Sequence, residues 1–226
     1  MSLSAHRADT QEARDDLYRL RDRLYVEEQG LSPVGADHET RLLRDAEDAW
    51  SISFGLWNGN EAVGSLRMTF LRDVPSVDRY VERFQMGPAV HEFGVESIAT
   101  SSRFMFDPRF SGTNGMFRLM ALAYRESGLR GIRLCYGDSS ASLVPFYRHL
   151  GYRCYTTPFR DESYGVKTPL LLIGRDRQWF ERRRSPLARL AAEYPDDPEA
   201  RAWFARLYGE DENGTVELDE VRSVWL

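Results

Sequence analysis

Leu17, Leu20 and Leu24 fall on one stripe of an otherwise charged run over residues 10–29, the spacing of an amphipathic helix. Gly30 follows as the usual terminator. Residues 31–48 hold Ser-Pro, Gly and many charges and read as a loop with room for a short helix. Residues 51–57 and 62–70 are β-rich and flank Asn58-Gly59, a strong turn signal, so they predict a hairpin. Residues 73–86 predict a short helix and connection. Residues 93–106 predict a long strand with an irregularity among Ser97, Thr100, Ser101 and Ser102.

A helix is expected over 113–127, opening just after Gly112 and stopping at Gly128. Residues 132–136 predict a short strand, 140–150 a helix closed by Gly151, and 152–157 and 169–173 the last two strands. Past Arg175 the character changes. Residues 179–184 are basic and aromatic, 186–194 and 198–208 predict short helices, and 209–226 is acidic and loose. The order predicts a mixed α/β (α+β) layout with one central sheet. The expected division is a domain over 1–178 and a C-terminal helical extension with an acidic tail over 179–226.

The chain has 226 residues and is 42% hydrophobic, enough for a sizeable core. A net charge of −5 gives no reason to expect a nucleic-acid binder. Two cysteines, Cys135 and Cys154, make neither a disulfide framework nor a zinc motif, so no metal is expected. Residues 1–11 carry no apolar signal segment and no apolar run is long enough to span a bilayer, so a cytoplasmic protein is expected.

The most informative stretch is Ser102-Arg-Phe-Met-Phe-Asp-Pro-Arg-Phe-Ser-Gly-Thr-Asn-Gly115. A strand breaks at Asp107-Pro108, and a glycine-containing turn opens directly into a helix. A helix N-terminus presents unpaired N–H groups and partial positive charge, which suit a phosphate. Glycine lets the backbone approach closely, and Arg109 and Arg118 add charge beside it. Alone, this pattern also fits an ordinary strand-to-helix connection.

Three segments together resemble the GNAT superfamily of N-acetyltransferases over residues 12–175. Arg109-Phe-Ser-Gly-Thr-Asn-Gly115 resembles its acyl-donor loop, Phe146-Tyr-Arg-His-Leu-Gly-Tyr152 its Tyr-x-x-x-Gly-Phe signature, and Leu24-Tyr-Val-Glu-Glu-Gln-Gly30 the segment after its first helix. One departure stands out: Asn114 occupies the second small-residue position and the glycine comes one later, at Gly115. Within the superfamily the likeness is to N-acyl amino acid synthases and acyl-homoserine lactone synthases, on Ser102-Arg-Phe-Met-Phe, Asp37 and Lys167-Thr-Pro-Leu170. Thr100 stands where the lactone synthases often have an acid, which argues against a lactone synthase proper.

The resemblance implies the GNAT fold, with a central mixed, mostly antiparallel twisted sheet flanked by helices, and N-acyl transfer of a medium or long chain from acyl carrier protein, or from acyl-CoA, to the amine of an amino acid or similar small molecule. The donor is then a co-substrate, with no permanently bound cofactor. Phe104, Met105 and Phe106 would pair their backbone with the pantetheine amides, and Arg109, Ser111, Gly112, Thr113, Asn114 and Gly115 would hold its phosphate. Tyr147 would protonate the leaving thiolate and Glu96 act as base, with His91 and Glu92 weaker candidates. No covalent intermediate is required, so Cys135 need not be a nucleophile. Arg67 and Arg103, expected on buried strands, would either grip an acceptor carboxylate or bridge to Asp37, Glu27 or Glu28. The basic run 175–184 is either a solvated face or a patch for an acidic carrier protein. A conventional acetyl-CoA N-acetyltransferase and a catalytically silent acyl-binding or partner-binding module are the competing readings.

Overall fold

The computed structural model describes residues 3–209. The chain begins with β1 (Leu3–Arg7), α1 (Gln11–Arg21), β2 (Ala36–Asp37), β3 (Leu42–Leu43), β4 (Ile52–Asn58) and β5 (Glu61–Phe70). It continues through α2 (Asp78–Phe84), α3 (Gly87–Phe93), β6 (Ile98–Phe106), α4 (Gly115–Leu129), β7 (Leu134–Ser139) and α5 (Val144–Leu150). The last elements are β8 (Arg153–Cys154), β9 (Phe159–Asp161), β10 (Gly165–Ile173), α6 (Arg177–Arg182), α7 (Ala188–Ala191) and α8 (Pro198–Tyr208). The expected fold class is present: a mixed α/β chain whose strands pair mostly antiparallel and carry helices against them. Two compact units form. The first takes the chain up to Pro75 together with Thr100–Glu126; the second takes Ser76–Ala99 and the chain from Ser127.

In the first unit β1 pairs with β4, β4 with β5, and β6 lies beside β5. The predicted hairpin closes with Asn58 opposite Glu61 and Gly59 at φ +61°, a conformation that glycine adopts without steric cost. Strand alternation builds two faces. Trp57 and Met105 join Leu17 and Leu20 of α1, and Leu24 of the turn that follows it, in one apolar cluster. Leu56 and Phe106 face α4, where they meet Gly115. Covered on both sides, β4 and β5 are buried almost continuously, although in β5 the polar Ser65, Arg67 and Thr69 alternate with Leu66, Met68 and Phe70.

The first helix departs from expectation. Thr10 caps it, its Oγ1 accepting from the Ala13 N–H at 3.1 Å, but the α-helix stops at Arg21 and widens into a π-helical turn over Asp22–Glu27. Strand β1 is absent from the sequence-based expectation, because its polar residues show no apolar alternation. It is held by its backbone pairing to β4, with the His6 ring stacked on Trp57 at 4.0 Å.

In the second unit β7, β8 and β9 all pair antiparallel with β10. The helices after β10 are part of this core. Trp179, Phe180, Trp203 and Phe204 are buried, and Trp179 Nε1 donates to the Gly151 carbonyl at 2.9 Å. Arg153 donates to Asp176 at 2.6 Å with its guanidinium over the Trp179 ring, and Arg201 reaches the other oxygen of Asp176 at 2.7 Å. Arg133 grips Asp197 with two nitrogens, each at 2.6 Å. Residues 179–208 therefore pack within the second unit rather than hanging from a boundary at 178. The acidic tail expected over 209–226 lies, from residue 210, outside the described residues.

The long strand expected over 93–106 is shorter. Helix α3 runs to Phe93, Gly94 turns the chain at φ +70°, and a 3₁₀ turn over Val95–Ser97 precedes β6. The irregularity lies at Arg103, at φ +53°, one residue beyond the serines expected to carry it. Among the described residues no helix is long and apolar enough to cross a membrane.

Candidate functional site

In the first unit, β6 is followed by Asp107, whose carboxylate accepts the Arg109 N–H at 2.9 Å and so caps a 3₁₀ turn over Pro108–Phe110. Phe110 plugs into the core while Ser111, Gly112, Thr113 and Asn114 form an exposed turn. Thr113 Oγ1 donates to the Phe110 carbonyl at 2.9 Å and accepts from Gly115 N at 3.2 Å, which fixes the entry into α4.

The two glycines do different jobs. Gly112 sits at φ +83° with open space where a Cβ would go, so the turn needs glycine for its backbone and keeps that face clear. A Cβ on Gly115 would lie 2.5 Å from Leu56 Cδ2 and 2.9 Å from Phe106 Cε2. Gly115 is thus required for helix-to-strand packing. That is the physical reason for a glycine at 115.

Around the turn the charges are paired. Asp107, 1% exposed, accepts from Arg23 Nη2 at 2.7 Å and from Arg109 Nη2 at 2.7 Å. Arg109 also bonds Glu61, and Arg23 bonds Glu28 at 3.2 Å. The hydrogen bonds from Arg109, then from Arg23, hold the Asp107 carboxyl well below the usual range despite its burial. Arg118 donates to the Leu3 carbonyl of β1.

Arg67 and Arg103 meet in a second charge cluster. Arg67, 3% exposed, donates from Nη1 to Asp45 at 2.6 Å and Asp48 at 3.2 Å, from Nη2 to Glu47 at 2.7 Å, and from Nε to Ser102 at 3.0 Å. Arg103 bonds the other oxygen of Asp45. Arg21, fully buried, donates from Nη1 to both oxygens of Asp48, at 2.8 and 3.0 Å, and from Nη2 to Ser53 at 3.2 Å. Burial opposes ionisation of Asp45, but the guanidiniums of Arg67 and Arg103 outweigh it and hold the carboxyl well below its ordinary value. Burial likewise works against Arg67, but the surrounding carboxylates carry its pKa above the ordinary arginine value.

The bridge partners expected for Arg67 and Arg103 are therefore corrected. Asp37 is turned into its own loop, accepting from Thr40 Oγ1 at 2.6 Å and from two backbone amides, and Glu27 bonds Arg41. Asp45, Glu47 and Asp48 take their place because the 3₁₀ turn over Ala46–Ala49 is closed by a capping box between Asp45 and Asp48, which aims all three inward. That spacing is readable in the sequence; the role of Arg21 is not.

In the second unit Glu96 lies on the exposed turn before β6 rather than on the strand, because the glycine at 94 delays strand entry. Glu92 pairs with Arg206 at 3.6 Å, and His91 is exposed. Tyr147 is buried on α5, edge-on to Phe146 and Tyr152 at centroid distances of 5.6 and 5.2 Å. Cys135 is buried with Sγ 4.0 Å from the Tyr152 hydroxyl.

Residues 16–176 match the family model described as N-acyl amino acid synthase FeeM. The chain is similar in structure to FeeM, an N-acyl amino acid synthase from uncultured soil microbes: TM-score 0.61, 16% identity, 84% of this chain and 97% of that one covered. It is also similar to BjaI, a CoA-dependent acyl-homoserine lactone synthase, at TM-score 0.57, 18% identity, and coverage of 81% and 90%. An acyl-CoA N-acyltransferase from Pseudomonas aeruginosa aligns at TM-score 0.51, 18% identity, and coverage of 75% and 97%. No curated protein matches it in sequence.

Proposed function

This chain belongs to the N-acyl amino acid synthase FeeM family, an N-acyltransferase of the GNAT fold, and we propose that it moves a medium or long acyl chain from a phosphopantetheine thioester to the amine of an amino acid or similar small molecule. The observation that carries this reading is the turn 111–114. It is exposed, held open by Gly112, and leads into a fifteen-residue helix whose N-terminus favours a phosphate.

The bond changes are simple. The neutral amine attacks the thioester carbonyl, a C–N bond forms, the C–S bond breaks, and the proton lost by nitrogen balances the one gained by the thiolate. Residues 104–106 offer strand backbone to the pantetheine amides. Tyr147 keeps the role the resemblance gives it, proton donor to the thiolate. Arg67 is better suited to positioning, since its nitrogens already bond carboxylates and a serine. The exposed Arg177, Arg182 and Arg184 near the buried Trp179 support a carrier protein as donor, by charge complementarity with an acidic partner.

The test is mass spectrometry of the full-length protein with a pool of amino acids and amines. One set receives carrier proteins loaded with several chain lengths; the other receives acetyl-CoA and long-chain acyl-CoA. Long-chain N-acyl products establish the reading and name the acceptor. Products from acetyl-CoA alone replace it with a conventional acetyltransferase.

A further inference from the structure

The donor turn is short of available positive charge. Arg23 and Arg109, the two guanidiniums bonded to Asp107, share three carboxylates: Asp107, Glu61 and Glu28. The nearest expected phosphate ligand, Arg109, is bound on both sides. Its Nε and Nη2 go to Asp107, and Nη2 also bonds Glu61 at the start of β5. Arg118, the other arginine expected to serve the turn, is bonded to the Leu3 carbonyl.

A guanidinium bonded to two carboxylates has little left to give a phosphate, and the carboxylates repel added negative charge. The two donor types differ in that charge. Free coenzyme A brings a diphosphate and a 3′-phosphate, whereas a carrier-bound arm brings one phosphodiester. We propose that Glu61 is a donor-specificity residue: by holding Arg109 against Asp107 it disfavours free coenzyme A and leaves the turn matched to a pantetheine arm with a single phosphate. This rests on the reading of residues 104–115 as the donor segment.

Glu61 and Arg109 are 49% and 59% exposed, so Glu61→Gln removes the tether without disturbing the core. The test compares equilibrium binding of coenzyme A and of 4′-phosphopantetheine to the full-length parent and to Glu61→Gln, with Glu61→Ala as a second variant. In low salt the dissociation constant for coenzyme A is expected to fall about fivefold, and that for phosphopantetheine to change by less than about twofold. The gain is expected to vanish near 1 M salt, where the screening length is about 3 Å. An unchanged coenzyme A constant, or an equal gain for both ligands, overturns the assignment. Failure of both ligands to bind the parent overturns it together with the donor-segment reading. Binding without amide formation removes only acyl transfer, and the two constants still decide this proposal.

Discussion

Arg67 Nη1 lies 2.6 Å from Asp45 Oδ1, and Arg103 bonds the other oxygen of the same carboxylate. One acid thus bridges two arginines on neighbouring strands. Removing it leaves Arg67 buried with fewer counter-charges. Asp45→Asn is expected to lower the unfolding free energy by about 3 kcal/mol, read from urea denaturation. Arg67→Lys is expected to recover little, because an ammonium cannot reach Asp45, Glu47 and Ser102 in the geometry of the planar fork.

The same carboxylate sets an acid limb. Asp45 and Asp107 are both held below their ordinary values in the folded state. Below about pH 4 the unfolded chain takes up protons that the folded chain refuses. Their stabilisation is full above that point and is lost as pH falls through the lowered folded values. Asp45→Asn should flatten this limb in stability measured between about pH 5 and 2.

Asp22 has the opposite sign. It is 4% exposed at the start of the π-helical turn, its Oδ1 has no hydrogen-bond partner, and burial, reinforced by Glu27, pushes its pKa up. The folded state holds the proton more tightly than the unfolded chain does, so ionisation at neutral pH costs stability. Asp22→Asn is expected to stabilise the protein by about 1 kcal/mol at pH 7. The gain should disappear below about pH 4, where Asp22 is protonated in both states. If Asp22→Asn is instead less stable than the parent at pH 7, the carboxylate has a use in the folded state.

Gly112 in the turn and Gly115 at the start of α4 separate packing from conformation. Gly115→Ala forces a methyl group against Leu56 and Phe106 and is expected to cost about 1–3 kcal/mol. Gly112→Ala meets no atom but must hold φ +83°, and is expected to cost about 1 kcal/mol while raising the KM for the donor. Thermal melts and donor titrations of both variants check this.

Tyr147→Phe keeps the ring contacts to Phe146 and Tyr152 and removes only the hydroxyl. Stability should change little, while kcat falls about a hundredfold if the phenol protonates the thiolate. A variant of full activity confines Tyr147 to packing.

Local rules make much of this legible. The Leu17–Leu20–Leu24 stripe, the Asn58-Gly59 hairpin and the Gly151 stop at φ +111° each follow from a few adjacent residues. The glycine turn before α4 is legible for the same reason. What escapes depends on partners distant in the chain. Strand β1 exists because β4 offers an open edge, and the Arg21–Asp48 bond spans 27 positions. Glu96 reads as strand because β-rich residues surround it, while the backbone turn at Gly94 decides otherwise.

The cluster of Arg21, Asp45, Asp48, Arg67 and Arg103 also bears on heredity. Each charge is tolerable inside the protein only while its neighbours persist, so the effects of substitutions there should be strongly non-additive. A lineage reaches a different arrangement only through intermediates weaker than either end. These five positions should therefore change together or stay fixed.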